Sequence, residues 1–206
     1  MRGKNPWELL LMRRPRDADF AAGAYVFPGG VAHAEDAQWG DEIAAAAVRE
    51  LFEEVGILLA RGGGRFARDR DSERVRLLVA GGKSFAEALR SIGLQPALDR
   101  LVLLTRWVTP ALLSRRYDAR FYLARLPAGQ TVRPEPGEVS DWLWLTPGEA
   151  LRDPAITLVY ATQKVLESVN GGEDATSLMT RTRRLKNVPV VEPRMTRTES
   201  GWAISH

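Results

Sequence analysis

The chain has 206 residues, 29 basic against 26 acidic for a net charge of +3, and no cysteine. Without cysteine there are no disulfides, thiolate zinc sites or cysteine nucleophiles, and no apolar run approaches the roughly 20 residues of a membrane span. The hydrophobic (45%) and charged (27%) fractions are those of a globular protein, and the first residues lack the apolar core of a secretion signal, so a cytoplasmic location is expected.

In chain order, Trp7 to Arg14 (WELLLMRR) reads as a buried strand ended by Pro15, and residues 16–23 as a loop. Ala24 to Phe27 is a short strand stopped by Pro28-Gly29-Gly30. Residues 31–40 read as irregular and acidic. Asp41 to Val55 is the clearest helix, with Asp41 at its N-terminus and Gly56 placed to end it. Ile57 to Ala60 reads as the start of a strand, and Arg61 to Arg74 (RGGGRFARDRDSER) as a mobile linker without apolar period. Ser84-Phe85-Ala86-Glu87 is a capping box opening a helix that ends at Gly93. Leu101 to Val108, Arg116 to Leu126 and Trp142 to Leu145 read as strands. Thr146 to Glu149 is a second capping box. Ile156 to Val169 and Asp174 to Lys186 are helical by pattern, and the tail from Asn187 shows little periodicity. Strands and helices mix without strict alternation, which points to α+β architecture rather than a doubly wound sheet.

The helix over Asp41 to Val55 carries the chemistry. With Glu50 at zero on a helical wheel, Glu53 falls at about 300° and Glu54 at about 40°. Val48, Leu51, Phe52 and Val55 take the opposite face. Three like charges within one turn repel one another, near a helix end where the dipole already disfavours anions. A divalent cation turns that repulsion into binding, and carboxylate oxygens suit Mg²⁺ or Mn²⁺. A solvated acidic face is the competing reading.

The run Arg49-Glu50-Leu51-Phe52-Glu53-Glu54-Val55-Gly56-Ile57 resembles the second half of the Nudix box, R-E-U-x-E-E-x-G-U, at all seven specified positions. Gly29-Gly30 resembles the glycine pair that opens the box. Gly30 and Arg49 are 19 positions apart where the box has 14, an insertion of five, and Asp41 stands where the box has its first Glu. Upstream, Leu10-Leu11, Arg14, Gly23 and Phe27-Pro28-Gly29-Gly30 are in register with the signature of coenzyme A diphosphatases, with departures at Met12, Pro15 and Asp19. Trp107 to Pro110 and Arg116 to Tyr122 resemble the peroxisomal branch of those enzymes.

The resemblance implies a Nudix fold, an α/β/α sandwich with a mixed β-sheet. It implies a single domain over residues 1–206, with 61–99 an inserted helical segment and 155–206 a helical appendage and tail. It implies metal-dependent hydrolysis of a nucleoside diphosphate linked to another moiety, first of all coenzyme A or acyl-coenzyme A, giving 3′,5′-ADP and a phosphopantetheine. ADP-ribose, dinucleotide or capped-RNA substrates are alternatives, and a non-catalytic nucleotide sensor is a reading of another class. By position, Gly30, Glu50, Glu53 and Glu54 are the expected ligands of Mg²⁺ or Mn²⁺. Glu50 and Glu53 are expected to take part in catalysis, with Arg49 orienting Glu53. Glu138 is the candidate general base, with Glu135 and Asp141 competing and Glu50 a further possibility. Arg14, Gly23, Phe27 and Arg120 are candidate substrate contacts, although Phe27 suits the core and Arg120 suits a partnership with Asp118. The expected partner is a small CoA-like nucleoside diphosphate, with a homodimer conceivable and no membrane. The balanced charge argues against nucleic acid, so Arg181, Arg183 and Arg184 read as a solvated helix face. His33 and His206 are isolated and have no assigned role.

Overall fold

The computed structural model describes residues 1–110, 112, 116–198 and 201–205; His206 lies outside them. Strands β1 (Arg2–Gly3), β2 (Trp7–Arg13) and β3 (Tyr25–Val26) lead through a 3-10 helix (Ala34–Trp39) into α1 (Glu42–Val55). Next come β4 (Ala60–Gly62), β5 (Arg65–Phe66), α2 (Asp69–Ala80), α3 (Phe85–Ser91) and β6 (Gln95–Pro96). The chain continues with β7 (Val102–Val108), β8 (Asp118–Leu123), β9 (Asp141–Leu145), α4 (Pro147–Arg152), α5 (Tyr160–Val169) and α6 (Ala175–Arg183). It closes with β10 (Val190–Val191), β11 (Arg194–Thr198) and β12 (Gly201–Ser205).

Strand β2 is central because its apolar run is covered on both faces. Leu10 and Met12 pack with Val55 and Ile57 at the end of α1. Leu9 and Leu11 face the other way, into a core with Leu166 of α5 and Leu178 of α6. Helix layers on both sides of β2 give the α/β/α sandwich. The strands do not form one continuous mixed sheet. Among the described residues, β2 pairs antiparallel with β1, β3 and β9. A separate sheet joins β7 antiparallel to β8 and parallel to β10.

Five sequence expectations need correction. Residues 31–40 are not wholly irregular, since they contain the 3-10 helix. Ile57 to Leu59 do not form a strand, because the buried Gln130 side chain takes their hydrogen bonds. Its amide oxygen accepts from Leu58 N–H at 2.7 Å, and its amide nitrogen donates to the carbonyls of Leu58 (2.9 Å) and Ala67 (2.8 Å). The expected linker over Arg61 to Arg74 is a β4–β5 hairpin followed by the first turns of α2. Polar groups organise it: Arg65 donates to Asp71, Asp71 accepts from Arg68 N–H, and Ser72 donates to the Gly56 carbonyl. The tail beyond residue 187 is stranded, not helical, because β10 extends the sheet beside β7 and β11 pairs with β12. The helix expected from Ile156 begins only at Tyr160, since Leu158 bridges to Tyr25 in extended conformation.

The helix expected over Asp41 to Val55 needs no such change. Asp41 accepts from Ala44 N–H at the N-terminus of α1, and Gly56 ends it with φ 71°. Its apolar face, Val48 and Phe52, packs on Leu58, Val75, Phe85 and Leu89, so the 61–99 segment is a wall of the α1 core. Among the described residues no helix is long and apolar enough to cross a membrane.

Candidate active site

The polar face of α1 is covered at Arg49 and Glu54, while Glu53 stays partly exposed. Arg49 is 1% exposed and Glu54 6%. Both are roofed by the chain between Gly29 and Asp36, part of the Gly30–Asp41 stretch that is five residues longer than in the box.

Arg49 is the hub. Its Nη1 donates to Glu50 (2.7 Å) and Glu53 (2.6 Å), and its Nη2 donates to the Val31 carbonyl (2.8 Å) and to Asp36 (3.1 Å). Burial works against the charged guanidinium, but the hydrogen bonds it donates to Asp36, Glu50 and Glu53 outweigh it and raise its pKa above the ordinary arginine value. Arg49 therefore braces Glu50 as well as Glu53. Asp36 was not among the expected site residues. It is 3% exposed and also accepts from His33 N–H, so the inserted segment supplies the carboxylate that neutralises the hub.

The glycine pair closes over Glu54 and Glu50. Gly29 N–H donates to Glu54 at 2.8 Å. A β-carbon on Gly30 would lie 2.5 Å from each atom of the Glu50 carboxyl group. Glycine is required there by close approach. Glu54 is pushed up to about 8: burial disfavours its charge, Gly29 N–H opposes this, and the charges of Glu50 and Glu138 add to the rise. Glu53 is raised too, chiefly by burial and against the pull of Arg49.

Glu138 thus lies within electrostatic reach of Glu54. The chain is steered there by hydrogen bonds from Arg133 N–H to the Val55 carbonyl and from Glu135 N–H to the Glu54 carbonyl, which also satisfy the free carbonyls at the end of α1. The competitors are engaged elsewhere. Glu135 pairs with Arg76 at 3.6 Å. Asp141 accepts from the Tyr25 hydroxyl at 2.5 Å, and burial together with that bond pushes Tyr25 up to about 12.

Of the expected substrate contacts, Arg14 acts on Glu54 through its charge, while its Nε donates to the Phe20 carbonyl at 2.9 Å. Gly23 shapes the 16–23 loop, with φ 69° and a hydrogen bond to the Pro15 carbonyl. Phe27 packs edge-on against Phe121, with ring centroids 6.1 Å apart, and against the core. Arg120 is not the partner of Asp118, which Arg106 holds at 2.7 Å across the strand pair. Arg120 contacts Tyr122, which lies within the field of Asp41.

Among the described residues, no three acidic or histidine side chains converge as a preassembled metal set. Arg49 Nη1 gathers the carboxylates of Glu50 and Glu53, while Gly29 N–H holds that of Glu54. The chemistry still fits a hard divalent cation. The donors are carboxylate and backbone oxygens, and the buried Glu54 faces two further carboxylates, so positive charge is in deficit there.

Comparison with known proteins agrees with this geometry. A putative nudix hydrolase 7 of Caenorhabditis elegans is 33% identical over 159 residues, covering 77% of this chain and 52% of the relative. A Xenopus laevis protein named acyl-coenzyme A diphosphatase NUDT19 is 25% identical over 207 aligned positions, covering 71% and 54%. The chain spans about half the length of the curated relatives it matches. A crystal structure of a NUDIX hydrolase from Alicyclobacillus acidocaldarius superposes with a TM-score of 0.70 at 26% identity, covering 84% of this chain and 87% of that one. The family model described as the NUDT19 Nudix domain matches residues 39–161, a span that holds α1, the β7–β8 pair and β9. With that match over more than half of its length, and with the box residues folded onto one buried helix face, the chain belongs to the NUDT19 Nudix domain family.

Proposed function

We propose that the chain is a hydrolase of the diphosphate bond in coenzyme A or acyl-coenzyme A, giving 3′,5′-ADP and the corresponding phosphopantetheine, and that one Nudix domain over residues 1–206 carries the activity. The observation that carries this reading is the complete glutamate set on α1, clamped from above by Gly29 and Gly30 and from within by Arg49. The names of the Xenopus laevis and Gallus gallus relatives support the choice of substrate.

Glu50, Glu53, Glu54 and the Gly30 carbonyl are the groups that would hold Mg²⁺ or Mn²⁺. When bound, the cation neutralises diphosphate oxygens and lowers the pKa of water. Arg49 fixes the directions of Glu50 and Glu53, and a helix holds that spacing more firmly than a loop does. Glu138 is our candidate to take the proton of the attacking water: its charge acts on Glu54, and the contacts of Glu135 with Arg76 and of Asp141 with Tyr25 support the choice. Arg14 adds a cation beside Glu54, suited to the anionic diphosphate. Gly23 and Phe27 support the loop and strand around it, and Arg120, next to Tyr122 on β8, is the more distant candidate contact.

The test is incubation with CoA, ADP-ribose and NADH in Mg²⁺ and in Mn²⁺, with products identified by mass spectrometry. Formation of 3′,5′-ADP from CoA is expected. Cleavage of ADP-ribose with none of CoA would move the assignment to another Nudix substrate. Tight binding of nucleotides without cleavage of any would favour the sensor reading.

A further inference from the structure

The sequence segment RGGGR, outside the Nudix box, has a structural consequence of its own. The β4–β5 hairpin it forms lines a groove of about 610 Å³ with the end of α3 and the segment before β7. That volume is within the range of small-molecule sites, about 300–1,000 Å³. Four arginines line it, Arg61, Arg65, Arg90 and Arg100, and no acidic residue does.

The carboxylates behind this lining are fewer than the guanidiniums. Asp99 serves two of them, Arg61 at 3.0 Å and Arg100 at 3.4 Å. Asp71 is committed to Arg65 at 2.6 Å. Arg90 donates to the neutral amide of Gln38 and lies over the Trp39 ring. Each guanidinium presents five N–H donors in a planar fork, so Arg61 and Arg100 together keep donors that the two oxygens of Asp99 cannot occupy. A concave surface lined by one sign of charge also focuses its field.

The glycines keep the groove open. A β-carbon on Gly63, Gly64 or Gly93 would meet nothing within 4 Å, so the space above them is free. A β-carbon on Gly62 would lie 2.0 Å from the Gly93 carbonyl oxygen, so the hairpin is packed against the end of α3 and the wall is firm. Arg100 is held over the Phe66 ring, 5.2 Å from its centroid, which orients its fork.

We propose that this groove is a second anion site, one that binds a small molecule through a diphosphate group held by Arg61, Arg90 and Arg100. Diphosphate is favoured because planar guanidinium forks pair bidentately with phosphoryl oxygens, and because several cations face one open space. None of the groove residues belongs to the carboxylate site.

The test is calorimetric titration of inorganic pyrophosphate into metal-stripped protein at about 0.15 M salt, where surface charges are screened beyond roughly 8 Å. Saturable binding at one site is expected. Arg61→Gln with Arg100→Gln should weaken it at least about tenfold, as the loss of charge-assisted bonds requires. Arg183→Gln with Arg184→Gln removes the same charge from α6 and should change it less than about twofold. Glu53→Gln with Glu54→Gln should leave the binding in place. Thermal midpoints check that each variant is folded, and Arg90→Gln replaces the Arg61/Arg100 pair if that pair is not. Absence of saturable binding overturns the proposal. So does equal weakening by the groove and α6 variants, which marks diffuse attraction, or loss in the glutamate variant, which places the anion on the catalytic helix.

Discussion

Replacing Asp36 by Asn tests whether the inserted segment carries the charge balance of the catalytic helix. Asp36 and Arg49 form a buried pair with side chains 4% and 2% exposed, and three hydrogen bonds join them at 3.1–3.3 Å. Removing one partner of a buried ion pair costs about 3–5 kcal/mol, most of it the penalty of leaving the other charge buried and uncompensated. Here Arg49 keeps Glu50, Glu53 and the Val31 carbonyl, so the lower end, about 3 kcal/mol, applies. For a domain of this size each kcal/mol moves the melting temperature by about 2–4 °C, which gives a drop of about 6–12 °C. Thermal denaturation followed by circular dichroism reads it directly. Glu53→Gln is the comparison: its side chain is 38% exposed, and a pair so open to water is worth about 0–1 kcal/mol. Asp36→Asn should therefore cost several times more than Glu53→Gln. A melting point for Asp36→Asn within about 2 °C of the parent, or equal losses for the two variants, would refute the assignment of Arg49's principal counter-charge to Asp36.

Gly30→Ala should displace the Glu50 carboxylate, 2.5 Å from the new methyl group, and lower Mn²⁺ affinity and turnover by about 10–100-fold while the melting point changes little, since the clash is with the end of a side chain. Glu53→Gln with Glu54→Gln should abolish calorimetric Mn²⁺ binding and most activity; full turnover would rule out these residues as ligands. Arg65 holds the Asp71 carboxyl down at about 2, against the opposing effect of burial, from an ordinary value of 3.8. The stabilisation is therefore complete above about pH 4 and lost as the pH falls through about 2. Asp71→Asn should be less stable than the parent by about 1 kcal/mol in urea titrations at pH 5–8, given the half-exposed Arg65, and the two proteins should converge toward pH 2. Gln130→Met keeps the volume but leaves the buried Leu58 N–H and Ala67 carbonyl unpaired, while the Leu58 carbonyl keeps Ala60 N–H, and should cost about 2 kcal/mol or more, read as a lower urea midpoint.

The catalytic helix was legible because its determinants are local. Asp41, the apolar spacing of Val48, Phe52 and Val55, and Gly56 all lie within one helix length, and the structure places its ends where they require. Strand β2 was legible for the same reason. Asp36 was not, because its significance comes from Arg49, thirteen residues away, and no local pattern marks it. Helix α2 was hidden by composition: it buries Asp71, Ser72 and Val75, two of them polar, so no apolar period announces it. The two-residue β10 exists through its pairing with β7 and cannot be read from Val190-Val191 alone. The preference for Glu138 over its competitors rests on Arg76 and Tyr25, which reach Glu135 and Asp141 from distant parts of the chain.

The Gln130 contact also bears on how freely this family member can drift. One side chain does what a strand edge would do, with a donor and an acceptor fixed at the exit of the catalytic helix. Glutamate would exchange the donor for a buried charge, leucine would satisfy neither neighbour, and asparagine is one methylene too short to span the same gap. The segment it anchors continues to Glu135 and Glu138, so any replacement there alters the alignment of the loop with the end of α1. A residue outside the Nudix box is thereby held to one side-chain chemistry by its backbone partners, whereas Leu77 on α2 is exposed.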